Sequence, residues 1–359
     1  MADAYLIHAE PLGAAIRELV RGFGSEQREV ELVTDNLIQA NLTGHDSHGI
    51  GMLPRYSEAW AEGGLKANAH IKTLMDGGAL LRVDGQAGFG QVVGHEAMTL
   101  AIERAKKFGS CIMALGNSHH LCRIGAWAEM AVAEGFVSIH FVNVISRPIV
   151  APFGGRDARF GTNPFTVGIP VAGRDPILLD FATSVIAQGK ARVAHNKREK
   201  LPPGRIIDNE GRDSDDPAYA VVDPLGAILA FGEHKGYGMA VACELLGGAL
   251  SAGLVGGPAT GERRVLNGML TIVLDPKAIA DAASFERETR AFLDWVTASP
   301  PRAGFDKVRL AGEPEREWRA KRLAEGIPVD ANTWNELLEA AVRLKVDPAK
   351  ISRLAGVKS

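Results

Sequence analysis

The chain has 359 residues, which is enough for two domains, and its 46% hydrophobic and 23% charged residues are ordinary for a globular protein. Its formal net charge of −3 excludes a broad electrostatic attraction to nucleic acid or to a membrane, because the positive side chains are scattered. Three cysteines without paired spacing predict no disulfide framework, as in a reducing cytoplasm.

Two helices are predicted at the start of the chain. Apolar residues at helical spacing predict a helix over Pro11–Phe23 that stops at Gly24. Ser25 is expected to cap a second helix that runs towards Leu42. No basic region followed by an apolar run precedes them, so the sequence predicts no signal peptide and a cytoplasmic location.

The middle of the chain alternates strands and helices, which predicts an α/β or α+β fold. The predicted elements are a strand-like stretch over Ile71–Val83 with a Gly77-Gly78 turn, a helix over Gln91–Lys107, a strand over Cys111–Leu115, a helix over 124–134, a strand over Phe136–Val144, irregular connections with short strands over Ala151–Asp223 and a helix over 236–252. The apolar stretch Tyr237–Gly257 carries Glu244 and many glycines, so we expect a buried helix and not a membrane span. After Asp281 the pattern is helical again.

A polar cluster follows the second predicted helix, where two histidines, His45 and His48, flank Asp46 and Ser47. Histidine titrates near neutral pH, so the cluster is typical of a site that transfers a proton. The alternative is an ordinary turn in which these residues serve as caps. We expect no metal site, because the surrounding glycines disfavour a regular helix and no cysteine lies nearby.

Further polar clusters occur along the chain. The stretch Asn117–Arg123 follows a predicted strand and is expected to open a helix, where free N–H groups attract anions. By contrast, Gly88–Gly94 has the spacing GxGxxxG without a following ribose-binding acid, which predicts a plain turn and helix start and no Rossmann site. Each of three remaining clusters alone is typical of a turn or a loop: Gly161–Pro164, Asp180–Ser184, and Lys235 within Glu233–Gly236. The basic stretch Lys190–Lys200 is typical of a solvated loop, and the alternative is that it lines an entrance for an anionic ligand.

Taken in order, these motifs resemble the malate/L-lactate dehydrogenase family of NAD(P)-dependent oxidoreductases that lack a Rossmann fold. The matching pieces are Asp46–Ile50, Asn117–His120, Gly161–Pro164, Asp180–Ser184, Leu201–Gly204 and Lys235–Gly238, and they cover nearly the whole chain. The resemblance implies a mixed α+β fold with a helical, dimerising part over 1–72 and 255–359 and an NAD(P)-binding mixed-sheet part over 73–254. It also implies a homodimer that acts on small-molecule 2-oxo and 2-hydroxy acids, with NAD or NADP as cofactor.

The resemblance also assigns residues. His48 is implied to be the general acid, with Ser47 orienting it and His120 touching the cofactor and assisting proton transfer. The residues implied to bind the cofactor are His120, Asn163, Asp180, Ala182, Thr183, Ser184, Lys235, Gly312, Glu313 and Pro314.

Two departures from the family pattern bear on the substrate. Many relatives carry an arginine where this chain has Met52, and the cyclic-imine reductases carry an aspartate where it has Lys190. We therefore expect a carboxylate-bearing oxo acid, bound by Arg123 or, as second choice, by Lys190. Met52 is expected to line an apolar pocket.

Three alternatives stay open. The first is a cyclic-imine reductase of the same family. The second is a hydrolase that uses Ser47 and His48, although no GxSxG elbow surrounds the serine. The third is a ligand-binding protein without catalysis.

Overall fold

The protein is described by a computed structural model that covers residues 4–251, 253–257 and 265–357. The strands in this part of the chain are β1 (Ala4–Ile7), β2 (Lys72–Asp76), β3 (Leu80–Asp84), β4 (Ser110–His119), β5 (Val137–Ile145), β6 (Phe165–Ile169), β7 (Ile177–Phe181), β8 (Ile206–Ile207), β9 (Asp213–Ser214), β10 (Ala227–Ile228), β11 (Leu266–Leu274) and β12 (Ile327–Asp330). The helices are α1 (Ala9–Arg21), α2 (Gln27–Leu42), α3 (Leu53–Ala61), α4 (Gly90–Phe108), α5 (Gly125–Ala133), α6 (Gln188–Lys197), α7 (His234–Cys243), α8 (Pro276–Ile279), α9 (Ala282–Thr297), α10 (Glu313–Glu325), α11 (Ala331–Arg343) and α12 (Pro348–Ala355).

The central sheet has seven strands in the order β2-β3-β4-β11-β5-β6-β7. Only β3 and β4 among these neighbours run parallel, while the other pairs are antiparallel. A Rossmann sheet is mostly parallel, so this mixed sheet confirms the predicted non-Rossmann α+β fold. A smaller sheet has the order β10-β8-β9, and β1 pairs with β12.

The helices from the two ends of the chain share one hydrophobic core. In α1, Leu12, Ile16 and Leu19 are fully buried at helical spacing. They pack in the same core as Leu337 and Ile351 from α11 and α12. Burying each large aliphatic side chain contributes about 1.5–3 kcal/mol, so this core is a major stabilising feature of the fold.

The sheet has its own core against α4 and α5. Residues Cys111, Met113 and Leu115 alternate along β4 and are buried, whereas Ile112 points to the other face and is exposed. This period of two is what a strand covered by helices on one face requires.

Most predicted elements are confirmed, with corrected ends. The first helix lies two residues earlier than predicted, over Ala9–Arg21. Ser25 does not cap the second helix, because Glu26 occupies the cap position and the serine hydroxyl donates to Glu29 at 2.6 Å. The predicted helix over 236–252 is α7 continued by a π-helical turn, and Ala252 lies outside the described residues.

Two larger corrections concern strands. The strand predicted over Cys111–Leu115 continues to His119, so the first polar residues of the Asn117–Arg123 cluster belong to β4 and not to a turn. The segment Leu266–Leu274, which the sequence placed in the helical part, is a strand between β4 and β5. The boundaries of the two parts otherwise stay a prediction.

The glycine-rich stretch at 88–94 is the plain helix start that the sequence predicted. Helix α4 begins at Gly90. A Cβ atom on Gly90 would collide with the backbone carbonyl of His120, so the glycine permits a close contact between α4 and the end of β4. Within the described part of the chain, no helix has the length and hydrophobicity needed to cross a membrane.

Candidate functional site

The histidine-rich turn follows α2 directly and is held by Asn41. Residues Asp46–His48 form a short 3-10 helix. The amide of Asn41 donates to Asp46 Oδ1 at 2.7 Å, and its side-chain oxygen accepts from the Ile50 N–H at 2.9 Å. A Cβ atom on Gly49 would overlap the Asn41 side chain, so this contact requires glycine.

A buried arginine from α10 holds Asp46. The Nη1 and Nη2 atoms of Arg322 lie 2.6 and 2.9 Å from Asp46 Oδ1 and Oδ2, and Arg322 also donates to the Asn41 carbonyl. This bidentate ion pair fixes the turn against α10. Arg322 was not predicted from the sequence, since no local pattern indicates a partner so far along the chain. Asp46 therefore has a structural role.

The structure brings His48 and His120 together. Their rings are stacked, with centroids 5.6 Å apart and planes inclined by 22°. Ser47 Oγ lies 2.9 Å from His48 Nδ1, so the Nε2 atom of His48 remains for a ligand. Both histidines are partly exposed, which leaves them within reach of a small molecule.

Tyr56 joins His120 to a buried polar network that the sequence analysis missed. Its hydroxyl lies 2.8 Å from His120 Nδ1 and 3.2 Å from Cys122 Sγ. Gln91 Nε2 donates to both Tyr56 and Cys122, at 3.2 and 3.0 Å, and the Cys122 thiol donates to the His48 carbonyl at 3.4 Å. Since Gln91 supplies donors, the Tyr56 proton is available to His120 Nδ1. A proton donated by Tyr56 to Nδ1 goes with the His120 tautomer that carries its ring proton on Nε2.

Desolvation by the surrounding protein favours the neutral form of both partly exposed site histidines. Desolvation lowers the pKa of His48 to about 4, with the nearby His45 acting in the same direction and Asp180 opposing it. Desolvation also lowers the pKa of His120 well below its ordinary value, and the positive charge of Arg55 adds to this. At pH 7 each histidine can therefore accept a proton.

Arg123, the residue first expected to bind the substrate carboxylate, is buried between two carboxylates of the protein. Its Nη2 atom lies 2.6 Å from Glu129 Oε2. Burial alone would lower the pKa of Arg123, but Glu129 and Asp180 raise it overall. Only 5% of the side chain is exposed, so its charge is largely neutralised within the protein.

Lys190 and Met52 lie in contrasting surroundings. Lys190 is exposed in the first turn of α6, and this turn approaches the histidines because the Cβ position of Gly189 lies 3.4 Å from Ser47 Cβ. Met52 is 9% exposed and packs in the core of the helical part, so it offers little surface to a ligand. The burial of Met52 therefore does not support the predicted contact with a substrate, which stays a prediction.

The motifs predicted to bind a cofactor converge although they are distant in sequence. The Thr183 N–H and hydroxyl both donate to the Thr162 carbonyl, at 2.9 and 3.0 Å, and the Phe231 N–H donates to the Thr183 carbonyl at 3.0 Å. Ala182 lies partly exposed in the same segment, and Lys235 is exposed at the start of α7.

Several side chains of these motifs are used inside the protein. Asn163 is fully buried, accepts from the Val144 N–H at 3.0 Å and donates to Glu244 at 2.7 Å. Thr183 and Ser184 are also buried, with hydroxyls that donate to backbone carbonyls. No part of the Asn163 side chain is exposed, so its burial gives no support to the predicted role in cofactor binding, which stays a prediction.

The Asp180 carboxylate is likewise used in hydrogen bonds within the protein. Its Oδ2 atom accepts from the Gly125 N–H at 2.7 Å, at the start of α5, and its Oδ1 atom accepts from the Thr166 hydroxyl at 2.8 Å. A carboxylate at a helix N-terminus is stabilising. Asp180 therefore orders α5 and adds negative charge beside the histidines.

The loop that precedes α10 lies against β7 and the histidine-rich turn. The Leu178 N–H donates to the Ala311 carbonyl at 3.1 Å, and Gly312, at φ 93°, is the N-cap residue of α10. Glu313 and Pro314 form the first turn of this helix. Glu315 Oε1 lies 3.5 Å from His45 Nε2, so the loop reaches the edge of the site.

A cavity of about 370 Å³ lies near the ends of β3, β4 and β5. Its lining includes Asp84, Asn117, Ile145 and Asn267, but none of the histidines or arginines of the site. It is therefore separate from the paired histidines.

Comparisons with known proteins agree with this architecture. The family model described as malate/L-lactate dehydrogenase matches residues 7–338. Hydroxycarboxylate dehydrogenase B of Escherichia coli strain K12 is 48% identical over 345 residues, which are 95% of each chain. In the sequence alone, the stretches 47–52 and 119–125 resemble that protein most, and the similarity over nearly the whole chain confirms this resemblance.

Two solved structures are also similar. Sulfolactate dehydrogenase from Methanocaldococcus jannaschii superimposes with a TM-score of 0.86 at 33% identity, covering 96% of this chain and 99% of the other. Delta1-piperideine-2-carboxylate reductase from Pseudomonas syringae pvar. tomato gives a TM-score of 0.80 at 30% identity, covering 94% of this chain and 100% of the other. The chain therefore belongs to the malate/L-lactate dehydrogenase family.

Proposed function

We propose that the protein interconverts 2-oxo acids and 2-hydroxy acids with NAD(H) or NADP(H). The observation that carries this proposal is the pair of stacked, neutral histidines, of which His48 is oriented by Ser47 and His120 by Tyr56. A nicotinamide cofactor, when bound, supplies or accepts the hydride at C2 of the substrate.

His48 exchanges the proton. When a 2-hydroxy acid is oxidised, neutral His48 Nε2 takes the hydroxyl proton as the C2–H hydride leaves. In the reverse direction His48 must first be protonated, and a bound anionic substrate favours this because an adjacent negative charge raises the pKa of an imidazole. Ser47, at Nδ1, holds the ring in one orientation.

His120 donates a hydrogen bond in this scheme. With its ring proton on Nε2, it can polarise the substrate carbonyl and stabilise negative charge on the oxygen. The substrate carboxylate next to C2 is assigned to Arg123, with Lys190 as second choice. We expect Arg123→Ala to raise KM for several oxo acids by about tenfold, the usual effect of losing one charged contact of about 1.5 kcal/mol. An unchanged KM would assign the carboxylate to Lys190.

The residues around α7 fit a dinucleotide. Helix α7 begins at His234 without a side-chain cap, and Lys235 is exposed in its first turn. Unpaired N–H groups at a helix start, together with a lysine, suit the phosphates of such a cofactor. The neighbouring Ala182 segment and the loop Gly312–Pro314 would border it.

A cyclic-imine reductase is the second candidate. It is favoured by the structural similarity to delta1-piperideine-2-carboxylate reductase. Against it, Lys190 stands where the resemblance places an aspartate in imine reductases. Protonating an imine nitrogen beside this cation would be unfavourable, since like charges repel.

The direct test is an absorbance assay of NADH and NADPH oxidation against a panel of oxo acids. The panel runs from pyruvate and oxaloacetate through 2-oxoglutarate to phenylpyruvate, with a cyclic imine as the control. Turnover of an oxo acid supports the proposal, and turnover of the imine alone would replace it with the second candidate. Ester hydrolysis, or cofactor binding without any turnover, would favour the remaining alternatives.

We further propose that the protein is a cytoplasmic homodimer. Leu245, Leu250 and Leu254 follow α7 and are each more than half exposed, which is unusual for large apolar residues that lie close together. A second copy of the chain would cover them. Light scattering is expected to give twice the chain mass, and Leu250→Glu is expected to yield monomers.

A further inference from the structure

We propose that Gln91 is a positioning residue that fixes the ring proton of His120 on Nε2 by directing the hydroxyl proton of Tyr56. Gln91 was not among the residues predicted to act at the site. The position of the ring proton can be measured in the free protein. Its effect on catalysis rests on the proposed function.

Gln91 lies in the first turn of α4, against the segment that carries His120. Helix α4 begins at Gly90, which has no Cβ atom to collide with the His120 carbonyl, so this first turn lies directly against the His120 backbone. The Gln91 side chain is only 1% exposed. Its amide group therefore makes its hydrogen bonds within the protein.

The amide of Gln91 has two hydrogens, and each has a partner that leads to one of the paired histidines. Gln91 Nε2 donates to the Tyr56 hydroxyl at 3.2 Å and to Cys122 Sγ at 3.0 Å. The Tyr56 hydroxyl lies 2.8 Å from His120 Nδ1. The Cys122 thiol donates to the His48 carbonyl at 3.4 Å. One buried amide thus links the surroundings of both histidines.

These bonds decide where the Tyr56 proton goes. The hydroxyl has two acceptors within reach, His120 Nδ1 at 2.8 Å and the Cys122 sulfur at 3.2 Å. Because Gln91 already donates to that sulfur, which is a weak acceptor, the hydroxyl proton goes to the ring nitrogen. Gln91 also donates to the Tyr56 oxygen and so competes with a ring N–H for this acceptor. A neutral histidine that accepts at Nδ1 carries its proton on Nε2.

Two local costs accompany this arrangement. Gln91 Oε1 is buried and has no hydrogen-bond partner among the described residues. Cys122 has a φ of 58°, in the left-handed region that residues with a side chain disfavour. Unsatisfied polar groups and strained backbone persist where the surrounding structure holds them for a function. Both lie beside the paired histidines, as expected of groups that are kept for the reaction.

The position of the proton decides what His120 can do to a substrate. With the proton on Nε2, the ring donates to a carbonyl oxygen and stabilises the negative charge that this oxygen gains. With the proton on Nδ1, Nε2 is an acceptor and repels the same oxygen. Gln91 therefore acts on the reaction through His120, without touching the substrate.

The test reverses the hydrogen bonds with Gln91→Glu. In either protonation state a carboxyl oxygen accepts from the Tyr56 hydroxyl, so the His120 ring then donates from Nδ1 to the tyrosine oxygen. Nitrogen NMR of the full-length protein labelled with ¹⁵N-histidine shows which nitrogen carries the proton, and His120→Gln identifies the signals. We expect the proton on Nε2 in the wild type and on Nδ1 in Gln91→Glu.

A second variant and a control accompany this measurement. Gln91→Met keeps the length of the side chain and removes both donors, so it stays informative if the charged variant does not fold. It is expected to give a mixture of both tautomers, since Tyr56 can then turn to either acceptor. The matched control is Gln39→Glu, because Gln39 is an exposed residue of α2 whose side-chain oxygen accepts from Arg319 at 3.2 Å. Its His120 signals are expected to equal those of the wild type.

A wild-type His120 with its proton on Nδ1 would overturn the proposal. So would an unchanged tautomer in both Gln91 variants, even with a lower free energy of unfolding, because Gln91 would then serve packing alone.

Turnover gives a separate measurement. In Gln91→Glu we expect kcat for an oxo acid to fall about 10²-fold, the usual effect of losing one donor to a developing oxyanion, with the KM of the cofactor unchanged within about threefold. If no oxo acid is reduced even by the wild type, the absorbance assay rejects the dehydrogenase. The NMR result then still decides the role of Gln91, so the two proposals can fail separately.

Discussion

The histidine-rich turn and the converging motifs at 161–184 look alike in sequence, but their polar side chains make different hydrogen bonds. In the turn, backbone and side-chain bonds from Asn41 and Arg322 hold the chain, and His48 keeps a free ring nitrogen. In the second region, Asn163 and Thr183 spend their hydrogen-bonding groups inside the protein. A cluster of polar residues therefore indicates a reactive site only where other residues supply the hydrogen bonds that hold the backbone, so that the polar side chains of the cluster stay available to a ligand.

Replacing His48 by alanine is the strongest test of this contrast. We expect kcat to fall by about 10²–10⁴, the usual contribution of a positioned acid or base, with cofactor affinity nearly unchanged. Steady-state kinetics and fluorescence titration measure the two effects. The matched control is His45→Ala on the same turn, which should retain kcat within a few-fold. A His48 variant with near wild-type kcat would remove His48 from the mechanism.

Asn163→Ala should show the opposite pattern. The change leaves the Val144 N–H and the Glu244 carboxylate without a buried partner, so the free energy of unfolding should fall by about 2–4 kcal/mol. Urea denaturation measures this loss, and kcat of the folded fraction should stay within about threefold. A stable variant with weakened cofactor binding would instead assign Asn163 to the cofactor.

Tyr56→Phe tests the orientation of His120. The change removes the hydroxyl contact of 2.8 Å and frees the ring to take either proton position. We expect kcat to fall about tenfold, the equivalent of one hydrogen bond, and the pH profile of kcat to shift. A change in stability alone, with an unaltered pH profile, would make Tyr56 merely a core residue.

A buried histidine, His140, makes the stability of the fold depend on pH, and this is a smaller effect than those of the three substitutions above. Burial lowers the pKa of His140 to about 3, and its ring lies 3.0 Å from both Thr271 Oγ1 and Ser138 Oγ. Below the unfolded pKa of about 6.5 only the unfolded chain binds this proton, so stability falls as pH decreases from 6.5 towards 3. At pH 5.5 the loss is about 1.4 kcal/mol for each such histidine. His140→Gln should reduce the difference between unfolding free energies at pH 7.5 and 5.5 by this amount, and an unchanged difference would contradict the assignment.

Much of the fold and of the site was accessible from sequence, for identifiable reasons. Helical and strand periodicity predicted α2, α4 and β5 closely, because amphipathic patterns reflect burial directly. The motifs at His48 and His120 were predicted from residue type and order. Contacts between residues far apart in the sequence could not be predicted. Tyr56, Gln91 and Arg322 act through such contacts, which no local pattern indicates. The length of β4 was missed because its last three residues, Asn117–His119, are polar and break the apolar pattern of the strand.

Direct hydride exchange at C2 of an oxo acid can be followed by isotope transfer. NADH or NADPH carrying deuterium at either C4 position would be incubated with the protein and the best oxo acid of the panel. We expect a 2-hydroxy acid with one deuterium at C2 from one of the two labelled cofactors. We expect no such product with the His48→Ala variant over the same time. A hydroxy acid without deuterium at C2 from either label would contradict it.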